Sequence, residues 1–219
     1  MSYSFLTRLA RLLTRVILGS KFHLRGTQNV PASGPVLIVS NHVGAVDPAI
    51  IGAWTPRPVW FMAKAELFKG GWVWLMRGYH AFPVVRHSAD RTALRRAFEL
   101  LKQGSVVVLF PEGHRSETGR LLRAEPGAGF VARHSAAPLV PIAITGTQNV
   151  IGRHKVIPRR AEVVMTFGEA FALPERNGDG SRMDHQQSSD YLMTKIAALL
   201  PLENQGEYAS PLMSRRAQI

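Results

Sequence analysis

Short apolar runs rich in β-branched and aromatic residues recur along the chain with helical patterns between them, and this alternation restricts the fold more than any other feature. The runs are PVLIVS (35–40), PVWFMA (58–63), HAFPVV (80–85), SVVVLF (105–110), PLVPIAI (138–144) and AEVVMTF (161–167). Helices are expected from near Pro48, around GWVWLMRG, over Ser88–Lys102, from Gly127 to about Ser135, and near 184–200. Ser88 is placed to cap the third of these, whose apolar stripe is Leu94, Ala97, Phe98 and Leu101. Strands alternating with helices predict an α/β fold with a largely parallel, mixed central sheet flanked by helices. With 219 residues, 46% of them hydrophobic, the chain can bury one sizeable core. ERNGDGSRMD (175–184) reads as a loop, and the polar stretch 201–219 as a loose tail.

Residues 1–20 stand apart. No Asp or Glu precedes Asp47, whereas Arg8, Arg11, Arg15, Lys21 and Arg25 all fall there. At about 100° per residue, SFLTRLARLLTRVILG places its three arginines within an arc of about 60°. Phe5, Leu6, Leu9, Leu12, Leu13, Val16 and Ile17 cover the opposite side. Such a basic amphipathic helix is expected to lie in a membrane interface, although packing on the core is the commoner fate of an amphipathic segment. Arginine at every third or fourth position rules out the roughly 18 uninterrupted apolar residues of a spanning helix.

A formal charge of +12 and a pI near 11.0 predict an anionic partner without choosing among nucleic acid, anionic bilayer and phosphorylated substrate. Zero cysteines exclude disulfides, a thiolate nucleophile and cysteine-ligated zinc. His80 and His87 lack a third ligand at convincing spacing, so no metal is expected. GAGFVA (127–132) follows a loop and not a strand, which favours helix packing over dinucleotide binding. Trp60, Trp72 and Trp74 read by default as core or groove residues, with an acyl tunnel or membrane interface as the alternative.

Functional groups in open α/β sheets gather where strands end and helices begin. Three polar clusters occupy such positions: SNHVGAVD after the first core strand, RHSAD after AFPVV, and FPEGHRSETGR after VVVLF. On a continuous helix His42 and Asp47 would lie about 140° apart. In a turn, the imidazole can fold back to the carboxylate. Asp47 is equally well placed to cap the next helix with Pro48 at its first position, so these two residues alone leave capping and catalysis open. Arg115 offers a planar fork suited to phosphate, and Arg86 and Arg91 can approach the same crevice.

Taken in order, NHVGAVD, AFPVVR, FPEGHRS and VPIAI, with MAKAELF (62–68) between the first two, resemble the glycerolipid acyltransferase family typified by 1-acyl-sn-glycerol-3-phosphate acyltransferases. The resemblance covers roughly residues 20–170 and implies a glycerol-3-phosphate acyltransferase-like fold, with the acyltransferase domain over 21–200. It implies His42 as general base and Asp47 as its orienting partner. Arg86, Glu112, Gly113 and Arg115 would hold the glycerol phosphate acceptor, Lys64 would add a phosphate contact, and Pro141 would shape the acyl-donor side. It further implies acyl-CoA or acyl-carrier protein as donor, a lysophospholipid as acceptor, an anionic membrane surface as partner and a place on its cytoplasmic face, with no other cofactor. His114 and Glu125 depart from the family's usual threonine and lysine, which bears on the acceptor more than on the reaction. Another lysolipid acceptor, a catalytically silent lipid-binding relative, or a nucleic-acid binder using the same arginines are the alternatives to be tested; the last leaves the ordered motifs unexplained.

Overall fold

The structure, a computed structural model, describes residues 2–85, 90–152 and 157–209. Among these residues seven strands form one sheet: β1 (Phe22–Arg25), β2 (Val36–Ser40), β3 (Val59–Lys64), β4 (Ala81–Val84), β5 (Val106–Leu109), β6 (Leu139–Thr145) and β7 (Val163–Phe167). Their spatial order is β1-β7-β6-β2-β5-β3-β4. Every pairing is parallel except β6 with β7. The six expected strands are present within two residues at either end. The seventh, β1, escaped the sequence because FHLR is four residues long and half charged or imidazole, the composition of an edge strand.

Among the described residues six α-helices cover the sheet: α1 (Tyr3–Leu18), α2 (Asp47–Trp54), α3 (Trp72–Gly78), α4 (Arg91–Lys102), α5 (Pro126–Ser135) and α6 (His185–Ala197). Because β2 and β5 are buried on both faces, successive side chains feed two cores. Leu37, Val39, Val107 and Leu109 pack under α4, α5 and α6, with Ala97, Leu101, Val131, Leu192 and Ile196. Val36, Ile38, Val106 and Val108 turn the other way, toward Leu6, Ile50, Ile51 and Tyr79. Burying each Val, Leu or Ile in full contributes about 1.5–3 kcal/mol. Helices α5 and α6 approach closely at Gly129, where a Cβ would come within 2.1 Å of the His185 carbonyl oxygen, so GAGFVA is a packing motif.

Several expectations need correction. Helix α4 begins at Arg91 and its cap is Asp90, whose carboxylate accepts the N–H groups of Thr92 and Ala93; Ser88 lies outside the described residues. The stretch 201–209 is not loose. Two 3-10 turns tie it back, with the Tyr208 hydroxyl donating to Asp190 and accepting from the Ala124 N–H. Trp72 and Trp74 are not core residues but are 63% and 73% exposed.

Helix α1 faces inward with Leu6, Thr7, Thr14 and Leu18. The two threonines can be buried because their hydroxyls bond the carbonyls of Tyr3 and Ala10, one turn back. This leaves Phe5, Leu9, Leu12, Leu13 and Val16 exposed. Arg11 does not point away from the domain: its Nε donates to the Ala53 carbonyl at 2.9 Å, and Arg11 and Arg15 both lie over the Trp54 ring. Among the described residues no helix is long and apolar enough to cross a membrane.

Candidate active site

Parallel pairing brings the C-terminal ends of β2, β5, β3, β4 and β6 to one edge of the sheet. The polar clusters that follow β2 and β5 are therefore neighbours in space although 62 residues of chain lie between Asp47 and Phe110. Asn41, next after β2, is buried and its carboxamide both donates to the Ile144 carbonyl and accepts the Ile144 N–H, each at 2.8 Å. That side chain extends the β2–β6 ladder by one rung and fixes where the next residue leaves the sheet.

The next residue is His42. Its Nδ1 sits 2.7 Å from Oδ2 of Asp47, and its ring stacks on Phe110 at 4.3 Å between centroids. The imidazole side chain keeps 12% of its surface exposed, whereas the Asp47 side chain has none. With Nδ1 given to the carboxylate, Nε2 is the nitrogen left for a substrate. Asp47 Oδ2 also accepts the N–H groups of Val43 and Gly44, both at 2.8 Å, and Oδ1 accepts the Thr147 hydroxyl at 2.5 Å. The carboxylate is folded back into the loop and makes no capping bond to α2, whose N-cap is Val46. The capping duty expected of Asp47 is thus absent, because its oxygens are occupied by the turn behind it.

Glu112 lies on the loop after β5 and is also buried, at 1% exposure. Its Oε1 accepts the His42 N–H at 2.8 Å and its Oε2 accepts the Leu122 N–H at 2.9 Å. A buried group with both oxygens engaged by backbone N–H groups is not placed as a direct contact for a phosphate. Glu112 braces the histidine loop instead, and this corrects its expected place on the acceptor. Burial pushes its carboxyl up to about 7; the His42 and Leu122 N–H groups oppose the rise and the Asp47 carboxylate adds to it. The Ser116 N–H returns to the His42 carbonyl at 2.7 Å, so His42 is gripped at N, O and Nδ1.

The other expected site residues fall into three groups. Gly113 turns the loop at φ +71°, with its N–H bonded to the Phe110 carbonyl, which puts it in the brace. Arg115 and Lys64 are exposed, the first one residue before Ser116 and the second at the end of β3, where its ammonium meets Glu66 at 3.3 Å. Pro141 is not at this edge. It is buried inside β6, level with Val39, and its ring packs against Gly168, which places it within the sheet and not on an open surface. Arg86 and His87 lie outside the described residues. Among the described residues, no group of three or more His, Asp or Glu is arranged to hold a metal ion.

Sequence reasoning passed over Asn41 as a structural clamp and Thr147 altogether. Asn41 was visible beside the histidine. Thr147 sits 100 positions from Asp47, and its only local signal is the turn residue Gly146 at the end of an apolar run.

The family model described as Acyltransferase matches residues 21–145. A 1-acyl-sn-glycerol-3-phosphate acyltransferase of Bacillus subtilis is 32% identical over 169 residues, 76% of this chain and 81% of that protein. A chloroplastic 1-acyl-sn-glycerol-3-phosphate acyltransferase of Arabidopsis thaliana is 30% identical over 168 residues, 75% of this chain and 45% of its own. The crystal structure of the 1-acyl-sn-glycerophosphate acyltransferase PlsC of Thermotoga maritima superposes with a TM-score of 0.71 at 23% identity, over 90% of this chain and 77% of that one, and so shares its fold. Matched over more than half its length, and with the residues from β1 to β6 inside the match, the chain belongs to the acyltransferase family.

Proposed function

We propose that the protein transfers a fatty acyl group from acyl-CoA or acyl-carrier protein to the free hydroxyl of 1-acyl-glycerol-3-phosphate, giving phosphatidic acid for phospholipid synthesis. The observation that carries this reading is the His42 imidazole held 2.7 Å from a buried carboxylate, at a strand edge where its second nitrogen remains for substrate. The names of its relatives supply the acceptor.

In this reaction His42 Nε2 accepts the proton of the acceptor hydroxyl as its oxygen attacks the thioester carbonyl. Asp47 stabilises the imidazolium. The tetrahedral adduct then collapses, the carbon–sulfur bond breaks, and the leaving thiolate takes the proton back from His42. The chain has no cysteine, and no serine follows a glycine by two positions as a nucleophile elbow requires, so direct transfer between the two substrates fits it best. A positioned base contributes about 10²–10⁴ in rate. Arg115 and Lys64, exposed beside the loops that hold His42, are assigned to the acceptor phosphate, with Arg86 following in the chain after β4.

The same reading places the protein peripherally on the cytoplasmic face of a membrane. Its support is an exposed apolar stripe on α1, with Val16 72% exposed, beside Arg8, and a second group at Leu67, Trp72 and Trp74. Apolar and cationic surface together suit an anionic bilayer.

The experiment is transfer of labelled acyl groups from acyl-CoA and acyl-carrier protein to lysophosphatidate, by wild type and His42→Ala. Loss of at least about 10² in kcat with acceptor binding retained is expected. Wild-type activity restricted to a different lysolipid would replace the acceptor. Failure with every donor and acceptor, or an undiminished alanine variant, would sink the assignment.

A further inference from the structure

The His42–Asp47 pair is not closed by its own loop. Oδ2 of Asp47 receives three donors, His42 Nδ1 and the N–H groups of Val43 and Gly44, whereas Oδ1 receives one, the hydroxyl of Thr147. Thr147 is fully buried and lies beyond β6, in a single 3-10 turn over Thr147–Asn149. We propose that Thr147 is a positioning residue of the acyl transfer: by holding Oδ1 it fixes the rotation of the Asp47 carboxylate, and through it the direction of the His42 imidazole. This role rests on the acyltransferase reading given above.

Two independent features support it. The first is the hydrogen bond itself. The Thr147 hydroxyl anchors the carboxylate on the side opposite the three donors of Oδ2, and without it Oδ1 would be buried and unpaired. A carboxylate that turns to find a new donor for Oδ1 swings Oδ2 away from Nδ1. The second is the way the two loops are fitted together. A Cβ on Gly44 would lie 2.6 Å from Thr147 Oγ1 and 2.7 Å from its Cβ, so the histidine loop can approach the β6 turn only because residue 44 is glycine. On the other side, Gly146 holds φ +85° with no room for a Cβ, which would stand 1.8 Å from the Glu162 carbonyl oxygen. The turn presenting Thr147 is thereby pressed between β7 and the catalytic loop. Asn41 completes the linkage by binding Ile144, three residues before Thr147.

A threonine that merely fills space and one that aims a carboxylate make different predictions. Aiming acts through Asp47. Removing the hydroxyl should therefore cost activity only while the carboxylate is present, and should lower kcat without altering substrate affinity.

The test is steady-state acyl transfer by wild type, Thr147→Val, Thr147→Ser, Asp47→Ala and the Asp47→Ala/Thr147→Val double variant, with melting temperatures of each. Thr147→Val should lower kcat about tenfold or more, with KM for donor and acceptor within about twofold, while serine, which keeps the hydroxyl, restores most of the loss. In the Asp47→Ala background the valine should cost less than about twofold. Thr147→Ala gives the same comparison if valine, with a methyl in place of Oγ1 against Oδ1, prevents folding. Equal fold-losses in both backgrounds, or an active wild type matched in kcat by the valine and alanine variants, would overturn the role of Thr147 alone. A wild type that acylates no lysolipid would overturn the reaction and this role with it.

Discussion

Behind His42 and in front of it, the molecule is built in opposite ways. Behind, at the junction of β2, β5 and β6, Asn41, Asp47, Glu112 and Thr147 are all buried, and both terminal side-chain atoms of Asn41, Asp47 and Glu112 are bonded. In front, Lys64, Arg115, Leu67, Trp72 and Trp74 are exposed, the first of them ion-paired with Glu66. The first construction holds the His42 imidazole still. The second leaves charge and apolar surface available to a substrate that has both. Changes behind should act on kcat and on stability, and changes in front on KM and membrane partition.

The largest effect is expected at Gly44. An added methyl would meet Thr147 at 2.6–2.8 Å, against backbone as well as side chain, in a region with no room to yield. Forcing the loop away misplaces the imidazole, and displacement of a catalytic group by about 1 Å costs about 10² in rate. Gly44→Ala should therefore lose at least that in kcat and about 1–3 kcal/mol of stability. A variant with wild-type kcat would show that the loop need not touch the β6 turn.

Glu112 comes next, and its effect depends on pH. Its carboxyl is raised from 4.5 to about 7, so the folded state holds the proton more tightly than the unfolded chain. The sign follows: this contribution to stability is greatest below about pH 4.5 and declines as pH rises through about 7, by roughly 3 kcal/mol in all. Glutamine does not titrate. The unfolding free energy of wild type relative to Glu112→Gln, measured by urea titration across this range, should fall by roughly that amount; parallel curves would mean that burial does not govern this carboxyl.

These two positions show what the sequence could and could not convey. The strand alternation was legible because each central strand is buried on both faces and reads as a continuous apolar run. The turn from His42 to Asp47 was legible because both partners lie within six residues. The purpose of Glu112 was not: a carboxylate in a polar loop looks like a ligand contact, and only the fold reveals that both oxygens face backbone N–H groups. Thr147 was invisible for a related reason, since the strand order that places β6 beside β2 is not written in either segment. In α1 the period marked an apolar side opposite the arginines, and Phe5, Leu9, Leu12, Leu13 and Val16 of that side are exposed; that Thr7 and Thr14 join Leu6 and Leu18 on the buried side was not legible.

In front of His42 the effects should be smaller and should leave kcat alone. Arg115 is exposed on the loop that also carries Glu112 and Ser116. Arg115→Ala should raise KM for lysophosphatidate about tenfold, or about 1.4 kcal/mol, and the increase should shrink as salt is added. A loss confined to kcat would move Arg115 into the machinery behind the histidine.

The smallest effect separates two arginines on one helix. Arg8 is exposed beside the apolar stripe of α1, whereas Arg11 is spent on the Ala53 carbonyl and the Trp54 ring. In sedimentation with vesicles containing anionic lipid, Arg8→Gln should lose about 1 kcal/mol of binding, roughly fivefold, with no change in melting temperature and no effect on neutral vesicles. Arg11→Gln should do the reverse, lowering the melting temperature by about 2–4 °C through weakened docking of α1 on α2. If both variants lost the same vesicle affinity and neither melted earlier, the helix would be presenting its whole basic edge to lipid, and the contacts of Arg11 with α2 would give way at the membrane.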